Sequence, residues 1–217
     1  MSLDTVIKQI RSRAQAHHEY LSKGERETRT KYALIDPILR SLGWDTEDPN
    51  QVKMEYEVDP GREDGRRVDY ALFRDGCTSK PYMLIEAKGL MSENAENARN
   101  LSSNLTNLES DRTDVWKAFS EGALTAFDDS HMTAKYEDGG MFPGLKKQHL
   151  AQLSGYTRAF DMDQGYGVTT NGDAWVIYDL SLPGGIDEEP IGSISLLNIE
   201  DSIYDCVNTL NILRRRF

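Results

Sequence analysis

Apolar residues recur along residues 3–22 at steps of one, three and four: Val6, Ile7, Ile10, Ala14, His17 or His18, and Leu21. That period predicts an amphipathic helix, broken at Gly24. A second helical pattern runs through "ERETRTKYALIDPILRSLGW", residues 25–44, with Tyr32, Ile35, Ile38, Leu39 and Leu42 on its apolar stripe and Gly43 placed to cap its end. Pro37 sits inside this pattern, where it either kinks the helix or, with Asp36, caps and restarts it. The period then changes to two. "QVKMEYEV", residues 51–58, alternates Val52, Met54, Tyr56 and Val58 with polar residues and predicts a strand.

Residues 66–89, "RRVDYALFRDGCTSKPYMLIEAKG", predict an antiparallel hairpin with a long turn. In its first strand Val68, Tyr70 and Leu72 point one way, and Asp69, Ala71 and Phe73 the other. In its second, Met83, Ile85 and Ala87 share a face, and Leu84, Glu86 and Lys88 share the opposite one. Two carboxylates and an ammonium can therefore converge at one point within apolar strand sequence.

Residues 89–142 lack such order. They open with an Asn- and Ser-rich stretch, hold one better helical pattern at "DRTDVWKAFSEGALTAF", and end in a loop-like run. A connection this long exceeds what a compact domain needs, so we read it as an insertion into a single domain spanning residues 1–217. Residues 144–160 return to the helical period through Leu145, His149 or Leu150, Leu153, Tyr156, and Ala159 or Phe160. "GYGVTTNGDAWVIYDLS" predicts a hairpin turning at Asn171-Gly172. "IGSISLLNI" suggests one more strand, and a final helix follows, capped by Asp201 or Ser202.

Charge narrows the partners less than its total suggests. The net charge is −11, but residues 89–142 and 182–205 each carry −6, leaving the remainder near neutral at +1. DNA is thus neither favoured nor excluded by composition. No signal peptide and no membrane-length apolar run occurs, and Cys77 and Cys206 have no metal-ligand spacing, so we expect free thiols in a cytoplasmic protein.

Asp69, Glu86 and Lys88 carry the candidate chemistry. Phosphodiester hydrolysis calls for an oxygen-ligated divalent cation that neutralises phosphate and acidifies water. Carboxylates from two adjacent strands, with a carbonyl such as that of Ala87, suit Mg²⁺ or Mn²⁺. Lys88, two residues beyond Glu86 on the same face, can reach the attacking water or the phosphate. A bare Glu-x-Lys occurs by chance, and a structural ion pair is the competing reading. Apolar flanks argue for a site, because an unpaired charge there costs several kcal/mol. Gln152 and Tyr156, at i and i+4, share a helix face.

Asp69, then Glu86-Ala87-Lys88, then Gln152-Leu-Ser-Gly-Tyr156, then "GVTTNGDAWVIYD", together resemble the PD-(D/E)xK nuclease superfamily. More narrowly they resemble the N-terminal nuclease domain of type I restriction enzyme R subunits, as does the leucine-glycine-tryptophan ending of the 25–44 helix. The resemblance covers roughly residues 25–88 and 148–180. It implies an α/β, restriction-endonuclease-like fold, with a mixed central sheet flanked by helices, and a Mg²⁺- or Mn²⁺-dependent deoxyribonuclease. By position, Asp69 and Glu86 would hold the metal, Lys88 would position or activate water, Gln152 and Tyr156 would contact the Lys88 region or the DNA backbone, and Glu25, or failing it Glu27, would be the helix acid. The chain departs from the R-subunit pattern in its longer stretch between Lys88 and Gln152, and it holds no G-x-x-x-x-G-K-[ST] phosphate loop, so no translocation is expected of it.

Arg66, Arg67, Lys146 and Lys147, together with Arg62 and Arg214–Arg216, are the candidate phosphate contacts. Two rival functions accompany the nuclease. One is a non-catalytic nucleic-acid-binding or assembly module, whose acidic insert meets a protein partner in a restriction complex. The other is an acidic DNA mimic, for which a metal cluster would be superfluous.

Overall fold

The computed structural model describes residues 1–22, 26–58, 66–74, 80–89, 145, 147–182, 186, 190–197 and 202–215. The insertion at 89–142, apart from Gly89, lies outside these, as do Gly24, Glu25, Arg62, Cys77, Lys146, Asp201 and Arg216 and the side chains of His17, His18 and Lys147. Helix α1 (Leu3–Ser22) leads into a continuous helical segment made of α2 (Arg26–Thr30), a π-helical turn (Lys31–Ile35) and α3 (Asp36–Ser41). Strands β1 (Val52–Glu57), β2 (Arg67–Leu72) and β3 (Met83–Ala87) follow, then α4 (Lys147–Ala159), β4 (Tyr166–Thr170), β5 (Ala174–Asp179), β6 (Gly192–Ser195) and α5 (Ile203–Leu210).

The six strands form one mixed sheet in sequence order, β1 to β6. Every neighbouring pair is antiparallel except β3–β4, which is parallel. Parallel neighbours need a crossover, and α4 lies in the chain between them and packs on both. One core joins α1, the π turn, α3 and α5 to one sheet face through residues such as Ile7, Leu34, Leu39, Ile85, Trp175 and Leu210. A second joins α4 to the other face through Leu84, Leu150, Leu153, Tyr156 and Val176. Helices therefore cover both faces, which is why β5 reads as an unbroken apolar run, "AWVIY", rather than as an alternation. Among the described residues, no helix is long and apolar enough to cross a membrane.

Three details of the amphipathic reading require correction. Tyr32, expected on the apolar stripe, is 76% exposed, and Lys31 points inward in its place. The cause is the π turn, in which the Asp36 amide donates to the Lys31 carbonyl. The wider turn makes room for Pro37, which has no N–H to give and whose ring would crowd an α-helical carbonyl. Pro37 thus sits in the first turn of α3, so the α-helix restarts at Asp36-Pro37 as the second alternative had it, though without a side-chain cap.

The other two corrections concern β1 and β2. Val52 packs in the first core and Val58 in the second, while Met54 is 46% exposed, so these residues do not share a face. Val68 likewise packs in the second core and Tyr70 and Leu72 in the first. Both strands change face at one level: Glu55 has a left-handed φ of 49°, and the pairings Met54–Tyr70 and Tyr56–Val68 flank Glu55 and Asp69. Gly43 does end α3, at a φ of 94°. The amides of Gly43 and Trp44 donate to the carbonyls of Arg40 and Leu39, the hydrogen bonds of a Schellman cap.

Candidate active site

The β2–β3 register pairs Tyr70 with Ile85. The paired stretch ends there, and just beyond it Asp69 lies near enough to Glu86 for its charge to act on that carboxyl. Asp69 Oδ2 accepts the Ala87 backbone amide at 2.6 Å, a side chain taking a place in the ladder. Its Oδ1 accepts from Lys31 Nζ at 2.5 Å. Glu86 is 2% exposed. Its Oε1 meets Lys88 Nζ at 2.7 Å, and its Oε2 is buried with no hydrogen-bond partner.

Lys31 also pairs with Glu55 at 2.7 Å and Glu27 at 3.2 Å, and Lys88 stands 3.9 Å from the other oxygen of Glu27. Asp69, Lys31, Glu27, Lys88 and Glu86 thus form a chain of alternating charge, with Glu55 attached at Lys31. Lys31 comes from the segment packed in the first core. Tyr156, near enough to feel the charges of Glu86 and Asp69, comes from the helix packed in the second.

The electrostatics follow from this crowding. Burial, then the charge of Asp69, push the Glu86 carboxyl up to about 7 despite the help of Lys88. Burial also raises Asp69, against the pull of Lys31 and the Ala87 amide. For Lys31 and Lys88 burial acts downward, but the surrounding carboxylates win and hold both ammoniums above the ordinary lysine value. Tyr156 is pushed up to about 12, by burial first and then by Glu86 and Asp69, so its hydroxyl stays protonated and available as a donor.

The structure therefore brings Asp69, Glu86 and Lys88 together, with Tyr156 within range of the Glu86 and Asp69 charges. Gln152 is exposed, one turn before Tyr156 on α4. Glu25 is outside the described residues, whereas Glu27 touches both lysines. The Arg66 guanidinium lies over Gly155, where a Cβ would stand 3.4 Å from it, and its charge reaches Tyr156. Arg67 instead pairs with Glu57 across β1–β2 at 3.0 Å. Arg215 is taken up by the fold: its amide donates to the Leu42 carbonyl and its side chain bonds Gln51.

Lys31 and Glu55 were not expected at the site. Lys31 had a legible signal, since it lies three and four residues before Leu34 and Ile35 and is thus a charge in line with an apolar stripe. Glu55 had none, because an outward residue of an alternating strand looks like ordinary surface.

Among the described residues no group of three or more His, Cys, Asp or Glu side chains is gathered for a metal ion. Two carboxylates are enough for Mg²⁺, which keeps several of its waters. The orphaned, buried Glu86 Oε2 beside Asp69 is the kind of donor such a cation satisfies. The residue types suit such an ion, while Lys31, the Ala87 amide and Lys88 engage three of the four oxygens and leave Glu86 Oε2 open. Comparison with protein-family models, curated proteins and solved structures finds no match to this chain.

Proposed function

We propose that this chain is a metal-dependent nuclease domain that hydrolyses DNA phosphodiester bonds, with a restriction-endonuclease-like arrangement of its sheet and helices. One observation carries the reading: Glu86 is buried on β3 within reach of the Asp69 charge, with Lys88 on one of its oxygens and no hydrogen-bond partner on the other. A buried carboxylate oxygen left unmatched forfeits about 1–3 kcal/mol, a cost that native folds seldom carry without a use for the group.

Asp69 and Glu86 would hold Mg²⁺ or Mn²⁺. When bound, the ion would neutralise phosphate charge and lower the pKa of water. Lys88, tied to Glu86, places an ammonium beside the carboxylates where it can orient a water or a phosphate oxygen. The protonated Tyr156 hydroxyl offers a donor from the α4 side, and Arg66 offers a charge for the DNA backbone next to it. The resemblance to type I restriction R subunits makes other subunits of a restriction complex the proposed protein partners.

The test is nicking and cutting of supercoiled and linear DNA with Mg²⁺ or Mn²⁺. Wild type should convert the plasmid, and Asp69→Ala, Glu86→Ala and Lys88→Ala should each lose about a hundredfold or more in rate while keeping the native circular dichroism. Equal behaviour of wild type and all three variants would remove the catalytic reading. DNA binding that survives without any cutting would leave a non-catalytic module of the same architecture.

A further inference from the structure

Lys31 occupies the side of Asp69 that a divalent ion would need. Its Nζ lies 2.5 Å from Asp69 Oδ1, the side chain is 8% exposed, and Asp69 Oδ2 is committed to the Ala87 amide. The same ammonium already touches Glu55 at 2.7 Å and Glu27 at 3.2 Å, and these two carboxylates are about half exposed. We propose that Lys31 is a built-in counter-ion that the divalent cation must displace from Asp69, and that Glu55 and Glu27 receive it when it moves. This rests on the metal-binding reading above.

The geometry explains why such a device is needed. Asp69 and Glu86 are both buried and feel each other's charge, and without a cation they would repel each other inside the fold. Lys88 serves Glu86 and Lys31 serves Asp69, so each carboxylate has its own ammonium. A divalent ion and the Lys31 ammonium cannot both stand against Asp69 Oδ1 without strong repulsion. Only a shift of Lys31 is required, because its second and third partners are already in contact. The π turn supports this placement by directing Lys31 inward and Tyr32 outward.

Mn²⁺ binding without DNA, followed by calorimetry and by the free-Mn²⁺ paramagnetic resonance signal, tests the proposal. Lys31→Met, which removes the rival charge, should bind Mn²⁺ about tenfold tighter than wild type or better. Its melting temperature should fall below wild type in chelator and gain more from Mn²⁺ than wild type gains. Glu55→Gln, which weakens the receiving position, should bind Mn²⁺ more weakly than wild type. If Lys31→Met does not fold, Lys31→Gln makes the same comparison with a neutral donor. A folded Lys31 variant that binds Mn²⁺ no better than wild type overturns the inference. The metal reading is judged separately: it stands if wild type binds Mn²⁺ and Asp69→Asn does not, and if wild type binds none, both fall.

Discussion

Glu86 shows how one side chain can be costly to the fold and still be retained. It is buried, feels the charge of Asp69 and has one oxygen without a partner, and its carboxyl is raised to about 7. A carboxyl whose pKa is higher folded than unfolded contributes stability that is complete below about 4.5 and is lost as pH rises through about 7. In chelator, the melting temperature of Glu86→Gln should therefore gain on wild type between these limits and hold a constant lead above them. The lead should be on the order of a few kcal/mol, set by the size of the shift. Melts of both proteins from pH 4.5 to 8 would check this. A wild type that gains on the variant as pH rises would mean that Lys88 stabilises the ionised form more than burial penalises it. Added Mg²⁺ should shrink the lead of the variant, since only wild type presents the anionic oxygen.

Two irregular elements bring the charges together. The level of Glu55 and Asp69 is where β1 and β2 exchange faces, so a carboxylate from each strand is released from the ordinary in-and-out alternation. The π turn performs the equivalent service for Lys31. It is braced by the β4–β5 turn, where Asn171 Oδ1 accepts the amides of Asp173 and Ala174, and Asp173 Oδ1 accepts from Ser195 Oγ and the Leu197 amide. At the tip, Gly172 has a φ of 83°, and a Cβ there would stand 2.7 Å from Thr30 Cγ2 and 2.9 Å from Leu34 Cβ. Gly172→Ala should cost more than about 1 kcal/mol, because both the conformation and the space are wrong for a side chain. Urea titration should show a lower midpoint with an unchanged slope. A neutral result would mean that the turn and the π turn are less tightly joined than this contact implies.

The whole molecule places the cluster where both helical layers can reach it, with Lys31 supplied from one and Tyr156 from the other. Its formal charge of −11 opposes DNA as a whole, so binding must depend on local cations such as Arg66 beside α4. Arg66→Ala should weaken binding of duplex DNA about equally across sequences and reduce the slope of log affinity against log salt by about one. Fluorescence anisotropy in chelator, where no cutting is expected, reads both quantities. A variant with the wild-type slope would place the phosphate contact elsewhere.

Periodicity together with turn and cap residues predicted the order of the described helices and strands, the β2–β3 and β4–β5 hairpins, and the Gly43 cap, because one-sided burial imposes a repeat, and tight turns demand particular residues, that the sequence displays directly. It also exposed Asp69, Glu86 and Lys88, since charges inside apolar strands are conspicuous. The Lys31 bond to Asp69, the part played by Glu55, the outward turn of Tyr32 and the exchange of faces in β1 and β2 were decided by tertiary structure. Each depends on a local break in regular geometry, a π turn or a left-handed residue, whose strain is offset by contacts between segments far apart in the chain. No repeat along the sequence records such contacts.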